Sequence, residues 1–190
     1  MPDRLTIDTI DAELAPGAHN AVSVCLQLTP EERVTIITDE ATRDIAAALR
    51  AEVEAIGSEH SVFILENYAS RPLTAMPQVI LDDLAQSQVS IFAAQSQPGE
   101  LPSRMQMSDV VNKRHIRHGH MVNINRQIML EGMRADFHKV DRISSKVLEL
   151  VRNAKRTADP SFGRSFYPYG PVSLVQPQLA LLGPGTGEQF

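Results

Sequence analysis

The sequence predicts a doubly wound parallel α/β domain: about four strands flanked by helices, then a long C-terminal helix and an irregular tail. Three observations carry this reading. Short β-branched apolar runs recur through the first two thirds of the chain, and each is followed by apolar residues at helical spacing. The runs are continuous rather than alternating, as expected of strands covered on both faces. Strands that alternate in this way with helices imply a parallel sheet joined by right-handed crossovers.

Taken in order, residues 18–28 place Ala21, Val24, Cys25 and Leu28 on one face, which predicts a leading helix packed on the sheet. Thr29-Pro-Glu-Glu32 has the form of a capping box, but only Arg33 separates it from the next strand, so a single turn is expected. Residues 34–38 form the first strand. Residues 39–56 follow as a helix with Ile45, Leu49, Val53 and Ile56 in line, stopped by Gly57. The unit repeats with a strand over 61–65 and a helix outlined by Met76, Val79, Ile80, Asp83 and Leu84. A third strand over 89–94 precedes a helix over about 102–113, and residues 120–124 supply a fourth strand. The longest helical pattern runs over 125–156, through Leu130, Met133, Phe137, Val140, Val147, Val151 and Ala154, interrupted at Ser144. A helix of about 30 residues would be about 45 Å long. Either it kinks near Ser144-Ser145, or it bridges to a neighbouring body or second subunit.

Composition narrows the function classes. With 190 residues, 43% hydrophobic, the chain is long enough to form a core without disulfides or a structural metal. Cys25 has no partner Cys, which points to a reducing compartment, and a cytoplasmic location is expected. A net charge of −5 leaves no general electrostatic footprint for nucleic acid. No apolar run approaches the about 20 residues that span a bilayer, and the first residues lack a signal-peptide layout, so no membrane partner is expected. The composition also divides the chain. Residues 157–190 hold five of the 12 Pro and five of the 10 Gly but only three charges, Asp159, Arg164 and Glu188. The expected organisation is an α/β domain over 1–156 and a Pro/Gly-rich tail over 157–190, either disordered or translated out of frame.

The residues able to carry chemistry are few. In a parallel α/β domain the first place to look is beyond the carboxyl end of the first strand, at Thr38-Asp-Glu-Ala-Thr-Arg43. It has no glycine to let backbone amides approach a phosphate, and Asp39 and Glu40 place negative charge where the helix dipole would attract one. Asp39 reads as a helix cap, with a metal or ribose contact as the alternative. His115, His118 and His120 are close enough in sequence to suggest zinc. However, Lys113, Arg114 and Arg117 surround them and no acid lies between Lys113 and Asn125, so a structural or interface segment, or a basic patch for an anion, is the competing reading. Cys25 lies on an apolar helix face, where a buried thiol is inert. Asp82-Asp83, Glu52 and Glu54 read as solubilising charges, and Met105, Met107, Met121, Met129 and Met133 as packing. No catalytic, cofactor-binding or metal-ligating residue is assigned.

Three segments in order, Glu32-Arg-Val-Thr-Ile-Ile-Thr-Asp-Glu-Ala-Thr-Arg-Asp-Ile-Ala-Ala-Ala-Leu49, Arg114-His-Ile-Arg-His-Gly-His-Met-Val-Asn-Ile124 and Ile128-Met-Leu-Glu-Gly-Met-Arg-Ala-Asp-Phe137, carry a resemblance. Over about residues 18–156 the chain resembles the N-terminal domain of the aminopeptidase T type of leucyl aminopeptidase, a metallopeptidase family. The resemblance implies removal of N-terminal amino acids from peptides, usually by a homodimer, with two divalent metals such as zinc or cobalt that activate water and polarise the carbonyl. The metal ligands of such enzymes lie in a larger C-terminal domain. The resemblance therefore implies a chain truncated before that domain, with no ligand of its own and no activity alone. Ring-cleaving dioxygenases of dihydroxypyridines look related to the same fold, and a fragment of one is an alternative. A stand-alone binding or interaction module is another.

Overall fold

The computed structural model describes residues 11–151, 157–159, 164–166 and 181–182. These fall into two units divided between Ala135 and Asp136, with residues 181–182 belonging to the first.

The first unit is a sheet with helices on both faces. Its strands are β1 (Arg33–Thr38), β2 (Glu59–Ile64), β3 (Val89–Ala94) and β4 (Arg117–Val122), joined at the edge by the two-residue β7 (Leu181–Leu182). The order is β2-β1-β3-β4-β7, with the first four parallel and β7 antiparallel to β4. The expected α/β class and strand number are thus what the chain adopts. Burial explains the apolar runs, since every residue of β3 is buried and so are the last five of β1.

Helix α2 (Arg43–Ile56) buries Ile45, Leu49 and Val53 as their spacing predicts. It ends at Gly57, whose φ of 88° is the left-handed conformation that glycine adopts most easily. On the opposite face, α3 (Gln78–Leu84) and α4 (Leu101–Arg114) cover a core of Ile37, Phe63, Ile80, Leu84, Phe92, Met107 and Val111. The Thr29–Glu32 segment is a single turn, with Thr29 N donating to Glu32 Oε2 at 3.0 Å.

Three expectations are corrected. The leading helix α1 (Ala15–His19) continues in π-helical turns over Asn20–Cys25. The wider turn changes the face, so Leu14, Ala18, Ala21, Val22 and Leu26 are buried, whereas Val24 and Cys25 are half-exposed. The fourth strand begins at Arg117 rather than His120 and ends at Val122. His115 closes α4 in a left-handed conformation at φ 55°, and Asn123, at φ 58°, ends the strand.

The long helix breaks well before Ser144. Helix α5 (Arg126–Leu130) gives way to a 3₁₀ turn over Gly132–Arg134. Asn20 Nδ2 donates to the carbonyl oxygens of Met133 at 2.7 Å and Ala135 at 3.1 Å, satisfying groups that the break leaves without a helical partner. Asp136 then caps a new helix, accepting from Lys139 N at 2.9 Å.

The second unit contains that helix, α6 (Phe137–Val151), with Ser144 and Ser145 inside it, and an antiparallel pair of strands, β5 (Thr157–Asp159) and β6 (Arg164–Phe166). Ala154 and most of the 157–190 tail lie outside the described residues. Among the described residues, no helix is long and apolar enough to cross a membrane.

Candidate functional site

In a sheet of this order the chain leaves β1 toward one side and β3 toward the other, so the natural ligand crevice lies between their carboxyl ends. Asp39 stands there, directly after β1. Its Oδ1 caps the following turn, accepting from Thr42 N at 3.0 Å and Thr42 Oγ1 at 2.7 Å. Its Oδ2 accepts from Gln95 N, just past β3, at 2.6 Å and from Arg71 Nη1 at 2.7 Å. The cap is as expected, and both oxygens are committed to protein donors, which leaves none for a ribose or a metal.

Arg71 is the centre of this cluster. Nε and Nη2 grip the two oxygens of Glu100 at 2.7 and 2.6 Å. Nη1 also donates to Glu66 at 3.4 Å, and Nη2 to the Gln95 carbonyl oxygen. All five guanidinium hydrogens therefore have protein acceptors. Glu100 further accepts from Leu73 N and Gln97 N. The Arg71 hydrogen bonds hold its carboxyl down at about 2, against the opposing effect of burial, and in return raise the Arg71 guanidinium. A single cation faces three carboxylates here. The crevice is closed by an ion network and is electrostatically hostile to phosphate. Arg71, Glu66 and Glu100 carry no periodic or motif signal that would mark them in the sequence.

The second cluster lies on β4. Side chains two apart on a strand share a face, and His118 and His120 do so, with His118 Nε2 and His120 Nδ1 3.1 Å apart. His118 Nδ1 lies 2.7 Å from Ser90 Oγ on β3, and His120 stacks on Phe92 with ring centroids 5.8 Å apart. Burial, helped by the neighbouring His120, lowers the His118 imidazole to about 3; His120 is also lowered, first by burial and then by the charge of Arg104. His115 does not join them, because it occupies the cap of α4. Among the described residues no three His, Cys, Asp or Glu side chains gather as metal ligands.

His118 also ends a buried polar row. Ser61, Thr35, Ser90 and His118 stand in register across β2, β1, β3 and β4. Asp83 anchors the row, accepting from Thr35 Oγ1 at 2.7 Å and from both terminal nitrogens of Arg33 at 3.1 and 2.6 Å. Asp83 is therefore a partner in a salt bridge rather than a solubilising charge, and Glu52 is likewise engaged, accepting from Ser23 Oγ and lying 2.8 Å from His19 Nδ1. Burial pushes the half-exposed Cys25 thiol above its usual range.

No family model matches the sequence, and no curated protein matches it. Among solved structures, 2,5-dihydroxypyridine dioxygenase from Pseudomonas putida KT2440 is similar, with a TM-score of 0.51 at 9% identity over 75% of this chain. The match spans 42% of the dioxygenase. These findings overturn the resemblance to aminopeptidases and, with it, the metallopeptidase reading. The segment that most suggested it, residues 128–137, has a packing explanation. A Cβ added at Gly17 would meet Met129 O at 2.7 Å and Met133 Cβ at 3.2 Å, so this glycine and these methionines reflect a close approach between α1 and the helix break. What the chain shares with the solved structure is a fold, at an identity that says nothing of activity.

Proposed function

We propose that this chain is the supporting α/β domain of a protein of dioxygenase-like architecture, and that it works by association rather than by catalysis. The observation that carries this is the exposed apolar row on α6. Val140, Ile143, Val147 and Leu150 are 36, 53, 51 and 82% exposed, and they follow the three-four-three spacing of a helix-pairing seam. No residue of α6 is buried. We assign a second copy of the chain as the partner of this row, and the cytoplasm as its location.

The residues that could do chemistry support the same reading. A mononuclear iron of the kind many oxygenases use takes two imidazoles and a carboxylate with open positions. His118 and His120 are hydrogen-bonded to each other, the charge of Arg104 acts on His120, and no third His, Cys, Asp or Glu joins them among the described residues, so this donor set does not fit the metal. Metal-dependent steps would fall to other residues of a longer protein. Sedimentation of the chain over a range of concentrations tests the reading: it should form dimers, and Ile143→Glu combined with Leu150→Glu should leave monomers. A chain that stays monomeric at every concentration would refute it.

A further inference from the structure

The exposed row on α6 carries a direction as well as a spacing. Written as heptads, Val140 and Val147 take the first core position and Ile143 and Leu150 the second, which makes four successive layers of a seam. β-branched residues at the first position with leucine at the second suit a two-stranded parallel pair, and Ile143 is the one departure from that pattern. Asp136, one heptad before Ile143, does not extend the row, because its carboxylate turns back to accept from Lys139 N as the helix cap.

The flanks of the row differ. On one side stand Lys139 and Lys146, both exposed; on the other stand Phe137, Ser144 and Val151, half-buried and uncharged. Asp141, Arg142 and Glu149 lie away from the seam. In a parallel pair each lysine faces the uncharged flank of the other helix. Lys139 meets the partner's Ser144, and Lys146 meets the partner's Val151, over which its methylene stem can lie. In an antiparallel pair that keeps all four layers, Val140 opposes the partner's Leu150, Ile143 opposes the partner's Val147, and like flanks meet. Lys146 then falls beside the partner's Lys146, a like-charge contact with no acid on either flank to relieve it.

We propose that two copies of α6 pair in parallel and in register, so that each residue of the row meets its own counterpart. This rests on the association through α6 proposed above and adds its direction.

The test is disulfide trapping in the full chain, with Cys25→Ser removing the native thiol. Counterparts in a parallel seam come within the about 7 Å between Cα atoms that a disulfide can span. In the antiparallel pair the two copies of residue 143 are offset by about 6 Å along the axis, in addition to the helix separation. In a glutathione redox buffer, Ile143→Cys and Val147→Cys should therefore each cross-link to itself, and a mixture of the two should yield more of either homodimer than of the mixed dimer, read by intact mass. Lys146→Gln, which leaves the row untouched, should not tighten the dimer in sedimentation. Mainly mixed product, wild-type dimers with no homodimer trapped from either variant, or a dimer tightened by Lys146→Gln would overturn the direction while leaving the association standing. A wild-type chain that is monomeric at every concentration would overturn both.

Discussion

Arg71 and Asp39 meet at 2.7 Å across the carboxyl end of the sheet, with side chains 4 and 1% exposed. The pair ties the loop after β2 to the turn after β1, and through Glu100 to the entry of α4. Removing one partner of such a pair leaves an uncompensated buried charge, which costs about 3–5 kcal/mol. Arg71→Gln should therefore lower the urea-derived stability by about that amount. A loss comparable to that of an exposed ion pair would show that the network is incidental to the fold.

Acid should destabilise the domain over two overlapping pH windows. The folded imidazole of His118 is lowered to about 3 from an ordinary 6.5, so its contribution is complete above pH 6.5 and declines as pH falls toward 3. The Glu100 carboxyl is lowered to about 2 from 4.5, so its contribution is complete above 4.5 and declines below it. Between pH 6.5 and 5 the slope should thus report on the histidines, at up to about 1.4 kcal/mol per unit for His118. His118→Gln should flatten that part of the urea-midpoint profile while leaving the fall below pH 4.5. An unchanged profile would contradict the assignment.

Gly17→Ala tests the close approach of α1 to the helix break. Alanine usually favours a helix, but here the new Cβ would meet the Met129 carbonyl oxygen at 2.7 Å, and backbone must move to admit it. Overpacking of this kind costs about 1–3 kcal/mol. Thermal unfolding should show the variant destabilised, and a stabilised variant would mean that the contact is looser than described.

Much of the first unit was legible because its strands are buried on both faces and its helices on one. Val34, Ile36 and Ile37, or Ile45, Leu49 and Val53, announce their elements by composition and spacing alone. Asp39 was legible as a cap because capping is local. Arg71, Glu66 and Glu100 were not, since their pairing depends on which loops the topology brings to one end of the sheet. The start of β4 is hard to read because His118 looks polar in sequence, yet it is buried and hydrogen-bonded to Ser90 on the neighbouring strand. The break after α5 is hidden in the sequence because apolar spacing continues across it through Leu130, Met133 and Phe137, which conceals a cap at Asp136 and the support that Asn20 gives from over a hundred positions away.

The proposed association through α6 rests on Val140, Ile143, Val147 and Leu150, which form an exposed apolar row. Sedimentation equilibrium of the wild-type chain beside the Ile143→Glu/Leu150→Glu variant tests it most directly. The wild type should form concentration-dependent dimers and the variant should stay monomeric, with unchanged circular dichroism from the α/β unit. A wild-type chain that is monomeric throughout, or a variant that dimerises equally well, would contradict it.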